Sequence, residues 1–168
     1  MNSAISVQSV TRRFGDFLAV DDLSFEVGTG EIFGLLGPNG AGKTTTINLI
    51  IGLLKRDRGV ITVFSYDPQN QAPQVRQRTG LVPQETNVYL DLTAMDNLWH
   101  NAALYCDTLS TGKGHIATLL QLMNLWERRK DPMHTYSGGM KRRLVLARAL
   151  LHDPDVILFD EPTLGVDV

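Results

Sequence analysis

The chain has 168 residues, 43% of them apolar and 20% charged, with a formal net charge of −2. That is the length of one ordinary domain with enough apolar residues for a core, and it excludes a disordered chain. The charge gives no electrostatic case for nucleic acid as the main partner. Residues 49–54 and the other apolar runs fall far short of the ~20 residues a membrane span needs. Residues 1–10 lack the basic start and apolar core of a secretion signal. The single cysteine, Cys106, has no internal partner and reads as a small buried hydrophobe in a reducing cytosol.

Residues 4–10 alternate apolar and polar, which predicts a strand, and residues 11–16 read as the turn after it. Within that turn Phe14 stands beside Arg12 and Arg13 and a Gly-Asp bend. It reads either as a core residue clamped at the surface or as an aromatic platform for a base, the first being the simpler. Residues 20–27 form a second alternating strand that ends at Gly28-Thr29-Gly30.

The apolar run 32–36 is expected to be a strand that feeds Gly37-Pro38-Asn39-Gly40-Ala41-Gly42-Lys43-Thr44, with a helix over 45–54 behind it. Strand, glycine loop and helix in that order match a phosphate-binding loop in its required context. Gly37, Gly40 and Gly42 have no Cβ, so the backbone can close around a phosphate chain and adopt left-handed torsions. The amides of residues 40–45, Thr45 included, then form an anion nest at the positive end of a helix. Lys43 reaches the outer phosphates and the Thr44 hydroxyl is placed for Mg²⁺. These residues define a nucleotide site.

Further on, residues 59–64 read as a β-branched strand. Asp67-Pro68 marks a helix start, with a polar segment to Arg78. Residues 80–84 form a short strand halted by Pro83. From Glu85 the pattern turns helical. Residues 92–106 carry Leu92, Met95, Trp99, Ala102 and Ala103 at helical spacing, with Asp91 or Thr93 as cap. Residues 110–125 carry Ile116, Leu119, Leu120 and Met123 in the same way. Residues 85–135 are therefore read as a helical insert in an α/β core made of 1–84 and 136–168, with Trp99 and Trp126 as core or interface residues.

Ser137 is a good N-cap for a helix that places Met140, Leu144, Ala147 and Leu151 on one face. Gly138 and Gly139 leave its first N–H groups open to a ligand. His152-Asp153-Pro154 ends that helix, with His152 a C-terminal cation or surface residue. Residues 155–159 form a buried parallel strand stopped by Pro162, which delivers Asp160 and Glu161 at its carboxyl end. There Asp160 could hold Mg²⁺ and Glu161 could act on an attacking water.

Together these residues resemble the ATP-binding subunit of ATP-binding-cassette (ABC) transporters, over essentially the whole chain. Residues 37–44 look like Walker A and 156–161 like Walker B. Gln84 looks like the Q-loop glutamine, a catalytic and metal-facing residue, and residues 136–140 look like the Leu-Ser-Gly-Gly-Gln signature. Asp167 stands where the D-loop aspartate would be. The resemblance gives Phe14 the role of the A-loop aromatic that stacks on adenine. Met140 and Tyr136 depart from the signature's glutamine and leucine, while Ser-Gly-Gly is intact. The wording of that stretch looks like bacterial drug-resistance and nodulation-type exporters.

The implied fold is a P-loop NTPase core with an N-terminal antiparallel β region and an inserted helical subdomain, lacking a C-terminal strand and helix. The implied activity is ATP hydrolysis driving transport, with export preferred. Two copies would bind head to tail around two ATP molecules, with Mg²⁺, and act on a separate transmembrane permease at the cytoplasmic face of the membrane. His100, His115, His134 and His152 all precede Walker B, so none can be the family's switch histidine. The alternative is thus a fragment that holds nucleotide without hydrolysing it; under either reading the resemblance implies an exposed sheet edge and poor solubility when the chain is expressed alone. DNA-repair and ribosome-acting relatives fit less well, because a long coiled coil and a second cassette are both missing.

Overall fold

The computed structural model describes residues 3–105 and 109–161. Cys106, Pro162 and Asp167 lie outside the described residues. The chain divides into two compact units, Met1–Arg78 and Thr79–Val168.

In the first unit, β1 (Ser3–Phe14) lies between β2 (Phe17–Gly28) and β3 (Arg58–Val63) in an antiparallel sheet of order β2-β1-β3. β1 and β2 both run further than their alternation suggests. Residues 11–14, expected as a turn, continue β1, and only Gly15-Asp16 turns, with Gly15 at φ 57°. The extension tolerates broken alternation because β1 is bulged between Val7 and Val10, where Ser9 has φ 47°. Gly59 serves this bulge. A Cβ there would stand 2.4 Å from both the Gln8 and Ser9 carbonyl oxygens. Val7, Val10, Ile61 and Val63 are buried in the sheet.

Helix α1 (Lys43–Ile50) buries Thr46, Leu49 and Ile50 and is shorter than the apolar pattern suggests. Gly52, at φ 68°, lets the chain leave helical geometry close to the Pro68 carbonyl. Asp67-Pro68 opens a turn rather than a helix, and α2 begins later (Ala72–Arg78). The reason is local. The Asp67 carboxylate accepts from both Arg56 guanidinium nitrogens, from Gln69 N–H and from the Asn70 amide, which fixes a turn.

The expected strand over 32–36 is absent. Among the described residues no strand pairs with it, so the apolar run has no ladder to complete. Ile32 and Leu36 are almost wholly exposed, while Phe33 stacks on Phe25 with centroids 5.0 Å apart.

In the second unit, β4 (Thr79–Val82) and β5 (Val156–Phe159) run parallel with Val82 opposite Phe159. β5 is less buried than its apolar sequence suggests, because among the described residues it has one neighbouring strand. Helix α5 (Gly138–Leu150) packs on β4, and Gly80 permits the approach: a Cβ there would meet the Ala149 carbonyl oxygen at 2.3 Å.

Helices α3 (Ala94–Tyr105) and α4 (Leu109–Leu122) join α5 around a core that includes Leu98, Leu120, Leu125, Met133 and Leu144. Ile116, Leu119, Leu120 and Met123 are all buried, as their spacing predicts. On α3 the buried face is Ala94, Asn97, Leu98 and Ala102, with Met95 and Trp99 at its margin and Ala103 exposed. Thr93, not Asp91, caps α3: its Oγ1 accepts from Asp96 N–H at 3.1 Å. Trp126 packs against the same core with Arg129 over its ring.

Candidate nucleotide-binding site

The glycine loop is built on β2. Gly40 and Gly42 hold φ of 83° and 85°, a region that costs a side-chain-bearing residue steric strain. Gly42 is also the N-cap of α1, and its carbonyl accepts from both Thr46 N–H and Thr46 Oγ1. A Cβ on Gly42 would lie 2.2 Å from the Ala19 carbonyl oxygen, so glycine lets the loop seat directly on the strand. Ala41 N–H donates to Pro38 O at 3.2 Å, which curls the loop. Gly37 has ordinary φ, yet a Cβ there would crowd Ala41 at 3.1 Å. Lys43 Nζ donates to the Gly37 and Pro38 carbonyl oxygens at 2.8 and 2.9 Å, so the loop is wrapped around its own cation. Residues 37–41 are exposed, Asn39 included, and Thr44 and Thr45 stand in the first turn of α1. A concavity lined by Ala19, Val20, Leu36, Gly40 and Lys43 lies alongside.

Phe14 is on the same unit, at the end of β1, and is 43% exposed. It is not a core residue. Its ring is covered on one side by the Arg12 guanidinium, 4.5 Å from the centroid.

The second unit carries the remaining candidates. Val82 and Phe159 are register partners, so Gln84 and the pair Asp160-Glu161 follow at the same ends of two parallel strands. Asp160 N–H donates to Val82 O at 3.0 Å, extending the pairing by one residue, and Asp160 is buried. Glu161 has a left-handed φ of 48° and is half-buried, whereas Gln84 is exposed. Ser137 caps α5 as predicted, its Oγ accepting from Met140 N–H at 3.3 Å. Gly138 and Gly139 are exposed, and a Cβ on either would meet nothing within 4 Å.

Tyr136, the first departure from the signature, is buried in the helical core. Its hydroxyl donates to Arg128 O at 2.6 Å, and burial, more than Asp131, raises its pKa. Met140, the second departure, receives Arg128 Nη1 on its sulfur at 3.7 Å.

Three arginines that motif reasoning overlooked tie α5 to its surroundings. Arg142 donates to the Pro83 and Gln84 carbonyls, Arg148 to Asn87 O at 2.6 Å, and Arg143 to Met123 O at 2.8 Å. Desolvation lowers the pKa of Arg148, with Tyr105 and Tyr89 opposing. The signal for them was weak: a basic cluster beside a helix start usually means a solvated face. His152, expected as a C-terminal cation or a surface residue, is half-buried, places Nε2 3.2 Å from Thr79 O and stacks on Tyr105.

A glycine loop capping a helix beside a sheet, with carboxylates at parallel strand ends, defines an α/β protein of the P-loop nucleotide-binding class. Residues 20–164 match the family model described as ABC transporter. The chain belongs to the ABC transporter family. It is 42% identical to the linearmycin resistance ATP-binding protein LnrL of Bacillus subtilis, over 97% of this chain and 52% of that protein. It is 45% identical to a Nod factor export ATP-binding protein I of Burkholderia pseudomallei, over 97% of this chain and 54% of that one. The chain thus spans about half the length of these curated relatives. A solved structure described as the ATP binding subunit of an ABC transporter superposes with a TM-score of 0.86 at 30% identity, covering 98% of this chain and 68% of that one. The cbiO1 structure from Clostridium perfringens shares the fold, with a TM-score of 0.86 at 22% identity.

Proposed function

We propose that this chain is the nucleotide-binding part of a subunit that hydrolyses ATP to power transport, by preference export, through a separate membrane subunit. The observation that carries the reading is the loop of residues 37–43 seated on β2 at the start of α1, in a chain of this family. The export preference follows the names of the linearmycin-resistance and Nod-factor relatives. Residues 1–84 and 136–168 are assigned to the α/β core and 85–135 to the helical insert.

The assigned roles follow from chemistry. Backbone amides of residues 40–45 and the Lys43 ammonium bind the phosphates, so Lys43 must exchange its loop carbonyls for phosphate oxygens. Pro38 and Asn39 shape the loop, and Phe14 takes the adenine. Ser137, Gly138 and Gly139 present the bare N-terminus of α5 to the ATP held by a partner copy, in a head-to-tail homodimer. Glu161 accepts the proton of the attacking water, and Gln84 orients that water.

Among the described residues no three His, Cys, Asp or Glu side chains cluster, so a metal cage made of protein alone is not offered. By the family reading, Mg²⁺, a hard cation that takes oxygen donors, would use a hydroxyl, a carboxylate, an amide oxygen and substrate phosphates. Thr44, Asp160 and Gln84 are the residues that would hold it. When bound, Mg²⁺ neutralises charge on the outer phosphates.

No helix among the described residues is long and apolar enough to cross a membrane. A place on the cytoplasmic face, through a permease partner, is proposed from the export-type relatives. The test is Lys43→Ala in the full-length protein. At least tenfold weaker ATP binding and loss of turnover are expected, and unchanged values would refute the site. Glu161→Gln should yield ATP-bound dimers that hardly turn over.

A further inference from the structure

Phe14 is the last residue of β1 before the Gly15-Asp16 turn, and the Arg12 guanidinium lies over one face of its ring at 4.5 Å. That guanidinium is itself tethered. Arg12 Nη1 donates to Asp57 Oδ1 at 3.0 Å, and the other oxygen of the same carboxylate accepts Arg13 N–H at 2.6 Å. Asp57 is fixed in turn by its N–H, which donates to Thr11 O at 2.9 Å. Arg12 Nε is buried without a hydrogen-bond partner. A buried donor left unmade is costly, so the stacked position over the ring is held against that cost.

An exposed aromatic at a strand end ordinarily loses rotamer freedom when a ligand stacks on it. Here the ring is held from behind before any ligand arrives, on a residue that is 43% exposed. Asp57 balances the charge of Arg12, so its effect is on the ring's orientation rather than on attraction of phosphate.

We infer that Arg12, tethered by Asp57, is a positioning residue for the nucleotide base, backing Phe14 so that its other face meets adenine at a fixed angle. This rests on the reading of Phe14 as the base platform. The role separates base binding from phosphate binding. ATP should feel it and inorganic tripolyphosphate, which has no base, should not.

The experiment is calorimetric titration of the full-length protein with ATP and with inorganic tripolyphosphate. The variants are Arg12→Ala, Phe14→Ala, the double variant and Asp57→Asn. Arg12→Ala is expected to weaken ATP by about two- to fivefold, the range of a partly exposed cation–π contact, and to leave tripolyphosphate unchanged. In the Phe14→Ala background the same substitution should have no further effect, because Arg12 acts through the ring. A purely structural role for Arg12 would give losses for both ligands that persist in the double variant, and that result would overturn the inference. So would an Arg12→Ala protein with wild-type ATP affinity while Phe14→Ala is weakened. Should Phe14→Ala itself bind ATP normally, the base-platform reading falls, and this inference with it. If Arg12→Ala does not fold, Asp57→Asn, which keeps both guanidinium and ring, carries the comparison: a loss confined to ATP supports the tether, and none refutes it.

Discussion

The carbonyl oxygen of Ala19 occupies the space where a side chain on Gly42 would begin, 2.2 Å from the position of a Cβ. The loop therefore owes its place to contact with β2 as much as to its own torsions. Gly42→Ala meets this contact and a φ of 85° together. The left-handed torsion alone costs about 1–2 kcal/mol, and each kcal/mol lowers the melting temperature of a chain this size by about 2–4 °C. A drop of several degrees with loss of ATP binding is expected from differential scanning calorimetry and titration. A variant that melts and binds like wild type would show that the loop can move off the strand at no cost.

Arg142 joins α5 to the segment that follows β4 by donating to the Pro83 and Gln84 carbonyls. Arg142→Ala is expected to leave ATP affinity nearly intact and lower turnover several-fold, since charged hydrogen bonds of this kind are worth about 1.5–3 kcal/mol. Amide exchange over residues 84–87 should quicken in the same variant. Wild-type exchange there, measured by mass spectrometry, would remove Arg142 from any role in holding Gln84.

The Arg56–Asp67 pair predicts an acid limb of stability. Arg56 holds the Asp67 carboxyl at about 2, below its ordinary 3.8. A depressed folded value means that the contribution is complete above the ordinary value and lost as pH falls through the folded one. Asp67→Asn should thus lower the melting temperature near neutral pH, and the gap to wild type should close between about pH 4 and pH 2. A constant gap over that window would count against the ion pair as its source.

Asn97 is buried, and its side chain makes three bonds: it accepts from Tyr89 N–H at 2.9 Å and donates to Tyr89 O and Thr93 O. Asn97→Ala removes these three bonds, about 0.5–1.5 kcal/mol each, and takes this acceptor from Tyr89 N–H, while Tyr89 O keeps Leu92 N–H and Thr93 O keeps Asn97 N–H. Thermal melting should fall by several degrees and protease sensitivity should rise within residues 85–93. Unaltered cleavage would mean that Asn97 does not hold this loop.

The local signals were legible in sequence where chemistry and periodicity coincide. Gly42 and Lys43, the Ser137 cap, and the apolar faces with Leu120 and Leu144 could all be read directly. Phe14 could not be settled by residues alone, because an aromatic beside arginines suits both a core edge and an exposed platform; its exposure decides against the core. The strand over 32–36 failed for a different reason. An apolar run states what could pair but not whether a partner strand is beside it. Arg142 was missed because guanidinium contacts to carbonyls distant in the chain leave no periodic trace, and Arg12 because residues 11–14 read as a turn rather than a strand, where residues two apart share a face.

Tyr136 has a consequence for chain exchange. In the signature its place is usually taken by leucine, and an apolar-for-apolar swap would look neutral. Here the hydroxyl satisfies the Arg128 carbonyl from inside the core. Grafting the usual signature onto this protein would leave that carbonyl with Asp131 N–H alone, at 2.8 Å, and loosen the start of α5 just where Ser137 and the two glycines are presented. A working graft would have to bring its own Trp126–Arg128 turn with it.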